Sequence, residues 1–480
     1  MKVLEDIITA LDDFAWGPWM LILLVGTGIF VTARNGFIQF GHLGYALKNT
    51  IGKMFHKHQA GEGEVTPFQA VTTALAATVG TGNIVGVTGA IFIGGPGAVF
   101  WLWISALFGM CTKYAEVALA VKYRERNAQG DWVGGPMYYI TNGLGKGWKW
   151  LAVIFAVFGC LASFGIGNTT QVDSIATAIS NMISSFGADL DANTILFLGQ
   201  QVALSRLIIG IIVAIIVGLV LLGGIKRIGK VTEKLVPFMA VLYILAALIV
   251  IFGNINWIGE VFRMIFVGAF TAEGALGGAF GIAFMTTVQK GIARGVFSNE
   301  AGLGSAPMAH AASSESDPVK QGLYGIFEVF MDSIVICTLT ALALLCGLLG
   351  VTGGGAGIEW GVNHGSEMMV TAFSSIFGGQ VGSIVIAVCL SLFALSTIMS
   401  WSLYGTRCFE YLFGTKASIG YKIVFIIVLI IGSTLGLDIV WTLGDALNGL
   451  MALPNLVALL ALSGVVVKLT KDHFKKDRLN

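Results

Sequence analysis

The fold is decided by the stretch ATVGTGNI at residues 77–84, near the centre of the apolar run 66–93. This stretch places two glycines, two threonines and an asparagine in the middle of an otherwise apolar segment. Each glycine destabilises a helix interior by roughly 0.5–1 kcal/mol, and non-helical backbone at membrane depth is tolerated only where it is buried in protein or lines a cavity. We therefore predict a helix that breaks in mid-membrane and offers freed amides, carbonyls and hydroxyls to a ligand.

A second interruption, FSNEAGLGS, occupies residues 297–305 in the middle of the apolar run 285–312. Small-xxx-small spacings such as Gly82xxxGly86 also fit close helix packing, which is the ordinary explanation for a single motif of this kind. Two Gly- and Asn-containing interruptions at matching places favour a pair of broken helices instead.

The composition indicates that lipid is the main solvent of this chain. Of its 480 residues, 56% are hydrophobic and 11% are charged, whereas soluble proteins carry roughly 25% charged residues. A net charge of +1 gives no large field to attract nucleic acid. The six cysteines are scattered without a CxxC pair and are interpreted as packing residues. These features exclude a soluble enzyme, a nucleic-acid binder and a disordered scaffold.

A scan with a window of about 20 residues, the length of a spanning helix, predicts eleven transmembrane helices. They lie at 16–33, 66–93, 97–121, 149–184, 205–223, 235–252, 285–312, 321–350, 380–410, 419–436 and 441–467. The stretch 254–284 is either a short extracellular helix or part of the seventh span.

The distribution of Lys and Arg predicts the orientation, because cytoplasmic connections are enriched in them. With the N-terminus outside, most of the 28 Lys and Arg residues fall on the inner side. The first 15 residues carry four acids and one Lys, the wrong charge for the start of a cleaved signal peptide. We expect an outside N-terminus, a retained first span and a cytoplasmic C-terminus.

The two breaks fall in the first spans of two five-helix sets, spans two to six and seven to eleven. Because five is odd, the sets have opposite orientations, as in secondary transporters built from inverted repeats. The expected organisation is an N-terminal extracellular segment, additional helix and inner loop, a first repeat, an extracellular connection, a second repeat and a basic cytoplasmic tail, at 1–65, 66–252, 253–284, 285–467 and 468–480.

Ionisable and polar residues inside the predicted spans are candidates for function. Glu300, in the second interruption, could coordinate a cation, accept a proton or cap freed amides. Gln171 and Asp173 belong to a polar run of the fourth span that faces a partner helix or a cavity. In the ninth span, Ser396 and Thr397 offer adjacent hydroxyls, or bond to their own helix.

The sequence also contains a pair of opposite charges within a predicted span and a glycine–lysine spacing like that of a P-loop. Lys113 and Glu116 lie three residues apart on one helical face, and a neutralising structural pair is favoured over a proton relay. The stretch 224–230 matches the spacing GxxxxGK, but Val231 stands where a P-loop needs Ser or Thr. Because no hydrolytic or metal-dependent motif was found, the chain is not expected to be an enzyme.

The chain resembles the alanine or glycine:cation symporter family, also called sodium:alanine symporters, within the amino acid, polyamine and organocation superfamily. The resemblance spans nearly the whole chain and rests on GGPGAVFWLWISALFG at 94–109, TKYAEVALAVKYR at 112–124, VGGPMYY at 133–139 and FSNEAGLGSAP at 297–307. It implies an all-α protein of a prokaryotic plasma (inner) membrane. The implied fold is a LeuT-type 5+5 inverted-repeat core, spans two to eleven, with one additional N-terminal helix.

The resemblance also implies which residues bind substrate and ion. The substrate carboxylate is expected at the amides around Thr81 and Gly82, and bulky Phe297 and Trp401 restrict the pocket to small side chains. The implied substrate site comprises Thr78, Thr81, Gly82, Asn83, Gln171, Phe297, Ser298, Thr397 and Trp401. The implied sodium site uses the carbonyls of Ala76 and Val79 and the hydroxyls of Ser396 and Thr397.

The leading hypothesis is sodium-coupled symport of a small neutral amino acid, alanine and/or glycine, by alternating access. Sodium is then the coupling ion, and no other cofactor is implied. The first alternative is a proton-coupled symporter in which Glu300 or Asp173 carries the proton. The second is a passive channel lined by the same breaks. Oligomeric state and the preference for L or D substrates are left open.

Overall fold

The computed structural model describes residues 2–50, 65–271, 280–355, 358, 360–362, 365–435 and 438–477. These residues are mainly helical, and two antiparallel hairpins of short strands accompany the helices. The predicted all-α architecture is therefore confirmed. Parts of the predicted inner loop, the extracellular connection and the C-terminal tail, at 51–64, 272–279 and 478–480, lie outside the described residues.

The N-terminal segment contains four helices, where hydropathy predicted one. Its helices are α1 (Lys2–Ala15), α2 (Pro18–Arg34), α3 (Ile38–Gly41) and α4 (Leu43–Thr50). Acidic residues lower the hydropathy of α1, so the scan registered α2 alone. Pro18 occupies the first turn of α2, a position where its missing N–H leaves no helical bond unmade.

The first predicted repeat contains eight α-helices and both hairpins. The helices are α5 (Pro67–Thr78), α6 (Val87–Gly94), α7 (Ala98–Lys122), α8 (Pro136–Tyr139), α9 (Lys149–Phe164), α10 (Thr170–Ser184), α11 (Leu204–Leu221) and α12 (Gly224–Gly253). The strands are β1 (Glu125–Arg126) with β2 (Trp132–Val133), and β3 (Thr194–Phe197) with β4 (Gln200–Ala203).

The second predicted repeat follows a separate short helix, α13 (Ile258–Gly268), which does not belong to the seventh span. The remaining helices are α14 (Phe280–Asn299), α15 (Pro307–His310), α16 (Pro318–Val329), α17 (Thr338–Thr352), α18 (Glu367–Phe377), α19 (Gly379–Phe413), α20 (Ser418–Thr434) and α21 (Asp438–Asp477).

Each of the eleven predicted spans contains a helix. Within the described part of the chain, eight helical stretches are long and apolar enough to cross a membrane, and the bent pair around the first break makes a ninth. The other two spans correspond to α14 and to α20, a shorter apolar helix. Eleven as the number of membrane crossings stays a prediction.

The first predicted break is present where the glycine-rich stretch lies. Helix α5 ends at Thr78, wide π-helical turns occupy Gly82–Gly86, and the two halves are bent by 48°. The side-chain oxygen of Asn83 accepts a hydrogen bond from the amide of Gly80 at 2.8 Å. The asparagine thus supplies a partner that the interrupted helix no longer provides.

The second break begins three residues later than its predicted start. Helix α14 continues through Asn299, and left-handed backbone follows at Glu300 (φ 55), Gly302 (φ 92) and Gly304 (φ 84) before the short α15. Glycine adopts this conformation without strain, which explains why two glycines lie here. Phe297 and Ser298 consequently lie in the last turn of α14 rather than in unwound backbone.

The buried charges around this break pair differently from the sequence expectation. The Nζ atom of Lys113 lies 3.2 Å from Oε1 of Glu328, and Nε2 of His310 lies 3.1 Å from Oε2 of the same carboxylate. Glu116 instead accepts hydrogen bonds from the amide of Gly302 at 3.0 Å and from Asn455 at 2.5 Å. Lys113 makes its close ion pair with Glu328 rather than with Glu116, because residues from distant helices supply the nearer partners.

Candidate functional site

A cavity of about 230 Å³ lies beside the first break and is called the central cavity below. Its walls come from α1, α6, α10, α14 and α21, and from the residues around the first break. It is lined by Asp12, Trp16, Thr81, Gly82, Val85, Gly86, Gly89, Ala90, Ile93, Thr170, Gln171, Ser174, Lys290, Ala293, Arg294, Phe297, Trp441 and Asp445. Four of the predicted substrate residues therefore share one cavity: Thr81, Gly82, Gln171 and Phe297.

The polar wall of the cavity is built by the first break and the fourth span. The hydroxyl of Thr81 donates to the side-chain oxygen of Gln171 at 3.1 Å, and the Gln171 amide donates to the carbonyl of Ile166 at 2.9 Å. These bonds fix the side chain of Gln171, on α10, against Thr81, which directly precedes the helical segment after the first break. The first amides of a helix have no acceptor in a preceding turn, so they can bind a carboxylate.

An aromatic and a basic side chain from α14 lie on the opposite wall. A Cβ atom at Gly82 would lie 3.4 Å from the ring of Phe297, so the missing side chain lets the ring lie directly against the backbone. The guanidinium of Arg294 lies over the same ring, 4.7 Å from its centre. Within the described ranges Arg294 makes no ion pair, although Asp445 lines the same cavity.

Three of the predicted sodium ligands, Ala76, Ser396 and Thr397, meet behind the first break. The hydroxyl of Thr397 lies 3.1 Å from the carbonyl oxygen of Ala76, and that of Ser396 lies 3.4 Å from the same oxygen. Both hydroxyls can also donate to the carbonyl of Phe393 on their own helix, which is the alternative role given to them in the sequence analysis. Val79, with ψ of 82°, has left the helical conformation. The set consists of oxygen atoms, which suits a hard cation such as sodium.

Two predicted substrate residues are buried in a separate polar cluster. The Nδ2 atom of Asn83 donates to Asp332 at 2.6 Å and to the hydroxyl of Ser298 at 3.0 Å, and Ser298 donates to the same Asp332 oxygen at 3.0 Å. Asp332 also accepts from Ser333 at 2.7 Å. This cluster ties the first break to the last turn of α14 and does not line the central cavity.

The remaining predicted residues lie outside the cavity lining. The hydroxyl of Thr78 bonds back to its own helix, at 3.4 Å from the carbonyls of Ala74 and Leu75. The indole of Trp401 is buried and donates to Glu300 at 3.0 Å.

The two candidate proton carriers differ in environment. Glu300 is buried in the second break, where Trp401 and Ser305 donate to its two oxygens. The side chain of Asp173 is 41% exposed and pairs with Arg206 at 2.7 Å. Asp173 is absent from the lining of the central cavity.

Sequence reasoning missed several residues of the site. Asp332 lies in the apolar span 321–350, which also contains Glu328, and acids in such a span were a usable signal. Arg294 also lines the cavity, and a basic residue inside the predicted span 285–312 was a usable signal. Trp16 could not be identified from the sequence, because the residues next to it in the chain do not indicate that its ring contacts Phe297.

Comparisons with known proteins show the family to which the chain belongs. The sequence matches the sodium:alanine symporter family over residues 1–480. It is 46% identical to the sodium/alanine symporter AgcS of Methanococcus maripaludis, over 97% of this chain and 96% of the relative. It is 34% identical to the putative sodium/proton-dependent alanine carrier protein YrbD of Bacillus subtilis, over 99% of this chain and 93% of the relative.

A solved structure gives the fold independently. The crystal structure of MhsT in complex with L-phenylalanine matches with a TM-score of 0.57 at 13% identity, covering 86% of this chain and 99% of that one. The broken helices and their shared cavity, together with these relatives, define an integral membrane secondary symporter of the LeuT-type fold, not an enzyme. The chain belongs to the sodium:alanine symporter family.

Proposed function

We propose that this protein couples the uptake of a small neutral amino acid, alanine and/or glycine, to the entry of sodium by alternating access. The observation that carries the proposal is the meeting of Ser396 and Thr397 with the carbonyl of Ala76 at the break whose next residues, Thr81 and Gly82, line the central cavity. An ion site and an organic site then share one broken helix.

In this proposal the bound sodium ion links helix α5 to helix α19. Sodium bound by Ala76, Val79, Ser396 and Thr397 holds the end of α5 against α19. If this arrangement favours the state that binds substrate, substrate must tighten sodium binding by the same factor. Alternating access then follows from movement of one five-helix set against the other around the site, with the sets at 66–252 and 285–467.

The substrate is held by its carboxylate at the amides around Thr81 and Gly82, with Gln171 and Phe297 beside it. The roles of Thr78, Asn83, Ser298 and Trp401 are indirect, because these residues support the two breaks. Alanine is named as a substrate of both curated relatives described above, and the cavity of about 230 Å³ has room for it.

The protein lies in the plasma membrane of a prokaryote with its N-terminus outside and its C-terminus in the cytoplasm. The support is the positive charge of the predicted inner connections and of the C-terminal end.

Proton coupling is the alternative that one observation favours. Glu300 is a buried acid in the second break, and one relative carries sodium/proton in its name. Asp173 offers less support for this alternative because it is partly exposed and paired with Arg206.

The test is radiolabelled alanine uptake into proteoliposomes of the purified protein. An inward sodium gradient is compared with an equal choline gradient and with an inward proton gradient. Accumulation that requires sodium supports the proposal. Accumulation driven equally by protons in the absence of sodium supports the alternative, in which Glu300 carries the coupled proton. Flux that never exceeds the external concentration under any gradient contradicts symport and favours a passive channel.

A further inference from the structure

We propose that Trp16 limits the size of the substrate side chain that the central cavity accepts. Trp16 joins α1 to α2 and so lies outside the ten-helix core that carries the two breaks. The inference rests on the proposed transport of amino acids, and it assigns a specificity role to the additional N-terminal helices.

The position of Trp16 relative to the proposed carboxylate site carries the argument. The ring of Phe297 covers Gly82, where a Cβ atom would lie 3.4 Å from the ring. The indole of Trp16 lies beyond, with its ring centroid 5.9 Å from that of Phe297 and the ring planes inclined by 53°. Both rings line the central cavity, and Trp16 therefore forms part of the wall that a longer side chain would meet.

Neighbouring helices hold the indole in this position. Its Nε1 atom donates to the carbonyl of Asp445 on α21 at 3.2 Å, and Gln289 on α14 donates to the carbonyl of Trp16 at 3.3 Å. At Gly449 on α21, a Cβ atom would lie 3.1 Å from the indole. The glycine therefore lets α21 pack closely against the ring, and the ring cannot swing aside without losing this packing and the hydrogen bond to Asp445.

A rigid wall selects against side chains that are longer by a few carbon atoms. One methylene group changes recognition in an apolar pocket by about 10–200-fold. Truncation of the indole to a methyl group makes room for several such groups. The methyl group of alanine is short, so its own recognition depends much less on this wall.

The experiment measures competition by larger amino acids. Sodium-driven uptake of radiolabelled alanine into proteoliposomes is inhibited with leucine, methionine or phenylalanine, for the wild type and for Trp16→Ala, Trp16→Leu and Trp16→Phe. Trp19→Ala is the matched control, because Trp19 packs on Phe14 with a centroid distance of 4.4 Å and is 38% exposed. It is absent from the cavity lining.

The expected result for Trp16→Ala is a fall of at least about tenfold in the ratio of the leucine concentration that halves uptake to the KM for alanine. Trp16→Phe should keep the wild-type preference, Trp16→Leu should be intermediate, and Trp19→Ala should be unchanged. An unaltered inhibition pattern in folded Trp16→Ala and Trp16→Leu overturns the inference. Loss of alanine uptake in both Trp16→Ala and Trp16→Phe also overturns the inference. That result would show that the indole is required for transport itself rather than for the selection of side-chain size.

A binding measurement separates this inference from the proposed function. Thermal stabilisation of purified protein by alanine or leucine needs no gradient. If the wild type fails to accumulate alanine, the transport proposal fails, whereas stabilisation by leucine of Trp16→Ala but not of wild type still supports the size limit. Equal stabilisation of both proteins by leucine contradicts it. If Trp16→Ala does not fold, Trp16→Leu provides both readings.

Discussion

The hydroxyl of Thr397 lies 3.1 Å from the carbonyl oxygen of Ala76, where α19 meets the last turn of α5 before the first break. The same hydroxyl lies 2.9 Å from the carbonyl of Phe393. Because a hydroxyl has one hydrogen and two lone pairs, it can donate to either carbonyl and still offer a lone pair to a cation. The contact joins a helix of the second repeat to the broken helix of the first.

Thr397→Val should remove one ion ligand while it keeps the shape of the side chain. We expect the sodium concentration for half-maximal alanine uptake to rise at least about tenfold, because loss of a polar partner of a charged group typically costs about 1.5–3 kcal/mol and about 1.4 kcal/mol corresponds to tenfold in affinity. Sodium titrations of uptake in proteoliposomes provide the measurement. Thr406→Val is the control, since the hydroxyl of Thr406 bonds to Ser402 on its own helix at 2.6 Å. An equal loss in both variants would show that the site does not depend on Thr397.

Gly80→Ala should disturb the contact between Thr397 and the first break by adding a methyl group on the broken helix. A Cβ atom at Gly80 would lie 2.5 Å from the hydroxyl oxygen of Thr397, so the hydroxyl or the break must move. Overpacking of this kind typically costs about 1–3 kcal/mol. We expect weaker sodium dependence together with a lower melting temperature in detergent. Gly26→Ala is the control because open space surrounds Gly26, and a normal sodium response in Gly80→Ala would contradict the close approach.

The pair of breaks could be predicted from the sequence because the signal is local. Gly, Thr and Asn in an apolar run are unfavourable for a helix whatever surrounds them. The same reasoning located the second break near Glu300, although its start was three residues early because Phe297, Ser298 and Asn299 still complete a helical turn. Local chemistry therefore sets where the helices break to within one turn.

The partners of the site residues could not be predicted in this way. Asn83 was assigned to the substrate, yet its Nδ2 atom lies 2.6 Å from Asp332, and Lys113 pairs with Glu328 rather than with its helical neighbour Glu116. These contacts join helices that are far apart in the chain. Which residue on a distant helix faces a given side chain depends on the packing of the whole bundle, which a single sequence does not reveal.

Asp332→Ala should uncouple the two breaks. The change removes the carboxylate that Asn83 and Ser298 share as an acceptor and leaves them only each other and the sulfur of Cys337, at a cost of about 1–3 kcal/mol. We expect a lower melting temperature and little or no uptake. Asp332→Asn keeps one acceptor oxygen and should retain more stability than Asp332→Ala. A double-mutant cycle with Asn83→Ala should give a coupling energy clearly different from zero, and additive effects would show that the contact carries no energy.

Lys113→Met should leave Glu328 buried without its cation. The two charged groups lie 3.2 Å apart and both side chains are 0% exposed. Loss of one partner of such a pair typically costs about 3–5 kcal/mol, whereas neutralising both is often nearly neutral. We therefore expect a marked loss of thermal stability in Lys113→Met and recovery of most of it in Lys113→Met with Glu328→Gln.

The exposed pair of Arg263 with Glu260, at 2.7 Å, provides the matched comparison for Lys113→Met. Exposed ion pairs contribute about 0–1 kcal/mol because solvent screens both charges. Glu260→Gln should accordingly leave the melting temperature in detergent within the error of the measurement. If the double variant at Lys113 and Glu328 is no more stable than Lys113→Met alone, the cost comes from lost packing around the lysine side chain rather than from an unpaired charge. Uptake by the double variant then tells whether the buried pair is needed for transport or for stability alone.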